Sequence, residues 1–132
     1  MRVTHERFAV TVAGIVTDEH DRVLLLDHVF RPGSGWGLPG GFINAGEQPH
    51  TALARELMEE TGLQLKSAQV FTTRVFHKPK QLEIVFLCKP EGAARPRSIE
   101  VRRLEWFSLE DLPDGVPTDQ KALICRALRG SD

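Results

Sequence analysis

Little in this chain points to cross-links, thiolate chemistry or a membrane. Cys88 and Cys125 are the only cysteines among 132 residues. Neither belongs to a CxxC pair or a Cys/His cluster, so a zinc site is not expected. Each falls in an apolar-patterned segment, which predicts reduced core thiols rather than a disulfide or a nucleophile. Long apolar runs are missing too: the longest, Phe8 to Val16, includes Thr11 and falls well short of the ~20 residues that span a bilayer. The N-terminus has no basic start, apolar middle and small-residue cleavage site, so a cytoplasmic protein is expected. Charge of one sign is equally scarce. Seventeen Lys and Arg stand against 18 Asp and Glu, for a formal net charge of −1. Binding of nucleic acid through bulk charge is therefore not expected, and local sites must carry any recognition of anions. No internal repeat or low-complexity tract is apparent.

What is present suits one globular domain over residues 1–132, with 41% hydrophobic and 27% charged residues. Phe8–Thr17 is rich in valine and ends at Asp18-Glu19-His20-Asp21, and Val23–Val29 follows at once. The two read as strands joined by a tight turn. Arg31 to Gly41 carries five glycines and two prolines and reads as a loop. A helix is predicted from near Gln48, with Pro49 in its first turn, to about Thr61, and Gly62 takes the left-handed position beyond it. Ala68–His77, Leu82–Lys89 and Arg103–Phe107 read as strands, and Ser108–Leu112 as a brief helical turn. Thr118–Arg129 closes the chain as an amphipathic helix burying Leu123, Ile124 and Leu128. Strands on either side of one helix, with a second helix at the end, predict an α/β domain with a mixed sheet between helices.

The segment from Gly41 to Leu63 carries the chemistry. Gly41, Glu47, Arg55, Glu56, Glu59, Glu60 and Gly62 have the spacing G-x5-E-x7-R-E-U-x-E-E-x-G-U, with Leu57 and Leu63 in the aliphatic slots. Seven positions demand one residue type each, so chance agreement is on the order of 10^-8 per window at ordinary residue frequencies. With Glu56 at zero on a helical wheel, Glu59 falls near 300° and Glu60 near 40°, so the three carboxylates share an arc of roughly 100°. Leu53, Ala54, Leu57, Met58 and Thr61 form the core-facing arc. Ala52 falls among the acids, where its small side chain is expected to leave room for a ligand.

Two carboxylates ~6 Å apart repel by roughly 3 kcal/mol at an effective dielectric near 20. Arg55 is the only cation in this turn of helix and cannot neutralise Glu47, Glu56, Glu59 and Glu60 together. Mg2+ and Mn2+ can, because they prefer carboxylate and water oxygens. A solvated acidic face is the ordinary explanation of a bare ExxEE. The simultaneous presence of Gly41, Glu47, Arg55 and Gly62 argues for metal binding instead.

The segment resembles a complete Nudix box, and the resemblance extends over nearly the whole chain. It implies an α/β/α sandwich with a central mixed sheet, the box forming a loop–helix–loop. It implies divalent ions on Glu56, Glu59 and Glu60, often with the backbone carbonyl of Gly41. Arg55 would hold the carboxylates in place, commonly through Glu47. Either Glu56 or Glu59 would activate water, and some members take the base or a further ligand from an acid after the box. Glu100 is the best candidate for that role, with Glu105 second, unless both are simply surface glutamates.

The implied reaction is attack of water on a phosphorus of a diphosphate bridged by metal, with the other phosphate as leaving group. The expected substrate is a nucleoside diphosphate linked to another group: a nucleoside triphosphate, ADP-ribose or similar. Arg31 and the neighbouring glycines either meet a phosphate or only turn the chain. Phe76 either stacks on a base or packs in the core, and Trp36 either stacks on a base or anchors its loop. Pro79 lies 16 residues beyond Leu63, resembling a marker of members acting on ADP-ribose, though a hairpin turn also explains it. Members that cleave diadenosine polyphosphates often carry a tyrosine in that region, and this chain has none. Competing expectations are a non-catalytic Nudix module that binds a nucleotide or partner, and an isomerase of the isopentenyl diphosphate type. The intact glutamates oppose the first, and the expected burial of Cys88 opposes the second. A homodimer is compatible with the sequence.

Overall fold

The structure, a computed structural model, describes residues 5–29 and 35–130. β1 (Ala9–Val16) and β2 (Val23–His28) are joined through the expected turn. In that turn Asp18 accepts hydrogen bonds from the backbone N–H groups of His20 and Arg22 and from the Arg22 guanidinium. The glycine-rich segment that follows was expected to be all loop, but it contributes two short strands. β3 (Trp36–Gly37) pairs antiparallel with β2, and β4 (Gly40–Phe42) pairs antiparallel with β1. Free edges of β1 and β2 satisfy backbone groups that a glycine-rich coil would leave to solvent.

α1 (Pro49–Thr61) starts as predicted, with Gln48 as N-cap and Pro49 at the first helical position. It ends at Gly62, whose φ of 78° allows its N–H to reach the Met58 carbonyl. That left-handed cap suits glycine, because a Cβ strains this conformation. β5 (Gln64–Phe76) and β6 (Gln81–Glu91) begin earlier than the sequence pattern indicated, extending the hairpin over polar residues. The turn between them contains the Lys78-Pro79 pair, with a cis peptide bond. β7 (Val101–Phe107), a 3-10 turn at Leu109–Asp111 and α2 (Thr118–Arg129) complete the order.

The strands form two sheets. One is mixed and four-stranded, in the order β4-β1-β6-β5, with β1 parallel to β6; the other is antiparallel, in the order β3-β2-β7. Alternation along the strands sends side chains to two cores. Val12 and Val16 of β1 pack with Leu53 and Leu57 of α1, together with Leu24, Leu26 and Phe86. Ala13 and Ile15 face the other way, toward Leu123 and Ile124 of α2, with Leu25, Trp36 and Val85. The helices thus cover opposite faces, as an α/β/α sandwich requires. Leu53 and Leu57 are fully buried, each contributing ~1.5–3 kcal/mol, so the acidic helix is pinned to the sheet by its apolar side.

Two details depart from the helical wheel. Ala52 is fully buried in the α1 core, so it leaves no opening for a ligand. A wheel records angle and not height along the axis, and this first part of α1 is covered by its neighbours. Leu128 is only half-buried, because the last turn of α2 runs toward the surface.

Candidate active site

The site is built where the end of β4 and the loop after it pass beside α1. A Cβ on Gly41 would lie 2.6 Å from the carboxyl carbon of Glu56. Only glycine lets the strand backbone and the carboxylate come this close. Glu56 is held there by Arg55, whose Nη1 donates to Glu56 Oε1 at 3.0 Å and reaches Glu59 Oε1 at 3.4 Å. The other side of the same guanidinium grips Glu47: Nε donates to Oε2 at 2.8 Å and Nη2 to Oε1 at 2.9 Å. Nη2 also donates to the Phe42 carbonyl at 3.1 Å, tying α1 to the end of β4. This is the two-pronged geometry that favours arginine over lysine.

Glu47 is fixed from its own loop as well, accepting the Asn44 N–H at 3.0 Å. The two-pronged bond from Arg55, with the Asn44 N–H, holds the Glu47 carboxyl at about 2. Arg55 is pushed above its ordinary range, chiefly by the hydrogen bond to Glu47, so it stays cationic throughout. Glu56 is shifted the other way. Burial raises it despite the opposing pull of Arg55, and the charges of Glu59 and Glu100 add to the rise. Its side chain is 16% exposed, against 55% for Glu59.

Glu60 lies deeper than Glu56 and Glu59. It is buried, and its Oε1 accepts the Gly40 N–H at 3.1 Å, so it also holds the box loop against the helix. Among the described residues, no three His, Cys, Asp or Glu side chains converge on one ion-sized point. The donor set nevertheless suits a hard divalent ion. Mg2+ is commonly held by one or two carboxylates, with water and substrate phosphates completing the shell. Glu56 and Glu59, both touching Arg55 Nη1, supply that pair. The Gly41 cradle brings backbone alongside Glu56 and leaves no Cβ in the way.

Glu100 stands on the loop between β6 and β7 and is exposed. That loop is fastened to the end of α1 by N–H groups of Arg95 and Arg97, which donate to the carbonyls of Thr61 and Glu60 at 2.9 and 3.1 Å. These are carbonyls that a helix end leaves without partners. The fastening brings the Glu100 charge near enough to raise Glu56. Glu105 is also exposed, on β7 opposite Leu25. Phe76 is half-buried at the end of β5, and Arg74 stacks on its ring at 5.1 Å. Trp36 is buried edge-to-face on Phe107 at 5.2 Å, so of its two expected roles it anchors the loop. Arg31 lies outside the described residues.

Cys88 is buried, and burial pushes its thiol up to about 12, as expected of an inert core thiol. The larger depressions of the surface are elsewhere. One of about 930 Å³ lies around Thr17, Lys66, Lys89 and Trp106, and contains no box residue. A smaller cleft of about 210 Å³ does adjoin the box, reaching Gly40, Gly41 and Phe42. Its walls include Glu83, Gln120, Gln81 and Thr11, none of which the sequence reading singled out. The available signal was Glu83, a lone acid inside the apolar run Leu82-Glu83-Ile84-Val85-Phe86.

Comparison with known proteins agrees with this architecture. A MutT-like protein of Streptomyces ambofaciens is 31% identical over 126 residues, covering 93% of this chain and 79% of the relative. An ADP-ribose pyrophosphatase of Methanocaldococcus jannaschii is 32% identical over 80% of this chain and 64% of the relative. This chain spans less than half the length of several other curated relatives. Among solved structures, the MutT NUDIX hydrolase of Burkholderia pseudomallei superposes with a TM-score of 0.78 at 26% identity, over 90% of this chain and 97% of the other. No helix among the described residues is long and apolar enough to cross a membrane. Residues 7–126 match the NUDIX domain, and with the clasped glutamates around Gly41 this chain belongs to that family.

Proposed function

We propose that this domain hydrolyses a phosphoanhydride bond in a nucleoside diphosphate linked to a further group, with Mg2+, or Mn2+ in its place, held by Glu56 and Glu59. The observation that carries the reading is the contact of Gly41 with the Glu56 carboxylate, fixed by the four-way grip of Arg55. A merely solvated acidic face needs neither a missing Cβ nor a shared guanidinium. The divalent ion supplies charge neutralisation at the phosphate oxygens and lowers the pKa of a bound water.

The residues of the chain divide the remaining tasks. Glu56, half-withdrawn from solvent and raised by burial, accepts the proton as the water oxygen bonds to phosphorus. The anhydride P–O bond breaks, and the leaving phosphate takes the electron pair. Glu59, more exposed, faces the solution from which substrate and ion arrive. Arg55 keeps both carboxylates in position without itself losing a proton. Glu47 fixes Arg55, and Glu60 fixes the loop that carries Gly41. Glu100 adds negative charge at Glu56.

The test is turnover across nucleoside triphosphates, ADP-ribose, nucleotide sugars and dinucleotides, with Mg2+ and then with excess EDTA. We expect release of a nucleoside monophosphate from at least one class, abolished by EDTA and restored by Mg2+ or Mn2+. Binding without turnover of any phosphoanhydride would replace this reading with that of a non-catalytic nucleotide module.

A further inference from the structure

The small cleft beside the box has a floor whose chemistry the hydrolytic machinery does not use. Its volume of about 210 Å³ is below the ~300 Å³ at which pockets for drug-sized ligands begin. It admits one flat ring system rather than a whole nucleotide. Phe42, at its rim, is 62% exposed, presenting an open aromatic face of the kind on which bases stack.

Glu83 reaches this floor from the middle of β6 and is only 9% exposed. Arg74 of β5 donates Nε to Glu83 Oε1 at 2.7 Å and Nη1 to Asp119 Oδ2 at 2.7 Å. That clasp fixes the plane of the carboxylate. Oε2 makes no hydrogen bond among the described residues. Gln120 sits alongside, its Oε1 accepting the Leu38 N–H at 3.2 Å. Because an N–H can meet only the oxygen of an amide, the orientation of Gln120 is settled and Nε2 remains as a donor. The floor therefore offers a fixed, charged acceptor beside a neutral donor.

We infer that Glu83 is a specificity-determining residue that reads the two adjacent N–H donors of a guanine-type base edge, with Gln120 Nε2 donating to the neighbouring ring carbonyl. This rests on the proposed function, since it concerns the nucleoside half of the same substrate. Guanine presents a carbonyl, a ring N–H and an amino group in a row: Gln120 Nε2 meets the carbonyl, Oε2 accepts one N–H, and the lone pair of Oε1 left over from its bond to Arg74 accepts the other. Adenine presents a ring nitrogen lone pair where guanine carries its N–H, and the Glu83 carboxylate repels it. Hypoxanthine keeps the ring N–H but loses the amino group, so it engages one of the two contacts.

The test measures calorimetric dissociation constants of the full chain for GMP, IMP and AMP, alongside kcat/KM for GTP, ITP and ATP in Mg2+. GMP is expected to bind about five- to hundredfold more tightly than AMP, the discrimination of one good bidentate contact, with IMP between them. Glu83→Gln keeps the shape but loses the charge, and should reduce the GMP/AMP ratio to about threefold or less on the same scale. Should that variant fail to fold, the order GMP, IMP, AMP on the unaltered protein decides alone. Equal affinity for GMP and AMP, or an unchanged ratio in a folded Glu83→Gln, overturns the inference. Failure of the hydrolase reading looks different: no nucleotide is turned over, while the monophosphate affinities still judge Glu83.

Discussion

Two arginines, each clasping more than one carboxylate, serve the same region of the molecule, and they are assembled in opposite ways. Arg55 gathers Glu47, Glu56 and Glu59 from one continuous stretch of loop and helix. Arg74 joins Glu83 to Asp119, drawing on β5, β6 and α2. The first clasp is a property of sequence spacing, because residues within a few helical turns stay together wherever the helix is placed. The second exists only once a hairpin has paired and the last helix has docked against it. The first leaves carboxylates close to the Gly41 backbone, where the proposed function needs phosphates and an ion to meet. The second leaves one carboxylate oxygen beside a pocket the size of a ring.

The sharpest way to break the contrast is to neutralise one acid in the first clasp. Glu56→Gln keeps its size and its place beside Gly41 but cannot accept a proton or offer a full charge. We expect kcat to fall by about 10^2- to 10^4-fold, the usual worth of a positioned general base, with the fold intact by circular dichroism. Full Mg2+-dependent turnover in that variant would falsify the assignment of Glu56.

Next in size is the pair Arg55→Lys and Arg74→Lys, which asks the same question of both clasps. Lysine keeps the charge but loses the fork. In the first clasp the loss should raise the Mg2+ concentration for half-maximal activity about 10- to 100-fold, as loss of a partner that orients metal ligands does. In the second it should appear in KM for a guanine nucleotide and not in the Mg2+ requirement. If both variants shift the Mg2+ dependence alike, the two arginines do not divide the substrate between them.

The contrast also explains what could be read in the sequence and what could not. The helix from Pro49 to Thr61 and its Gly62 cap depend on local spacing, so the sequence exposed them directly, and the clasp of Arg55 on Glu47 was implied by the resemblance to the Nudix box. The two sheets, the burial of Ala52 and the turning of Glu60 to the Gly40 N–H depend on height along a helix and on which neighbour covers it. Angular spacing carries no such information. Gln120 meets Leu38 across 82 residues, and no local pattern signals that meeting. Glu83 was the exception, an acid out of place in an apolar strand, and its oddity was visible before its partners were.

The smallest effect tests whether the first clasp contributes to the fold as well as to chemistry. Glu47 is ionised down to about 2 in the folded protein, lowered from 4.5 by the Arg55 bond. A depressed carboxyl means that the unfolded chain binds its proton first as pH falls. Its stabilising contribution is therefore complete above about pH 5, declines below about 4.5, and is gone near pH 2. Glu47→Gln has no such titration. The difference in urea midpoint between the two proteins should be constant from neutral pH to about 5 and then shrink steadily with acid. Groups that titrate alike in both proteins cancel from that difference. A difference that stays flat through the acid window would mean that the Arg55 bond to Glu47 adds nothing to the fold, leaving the clasp to serve the glutamates alone.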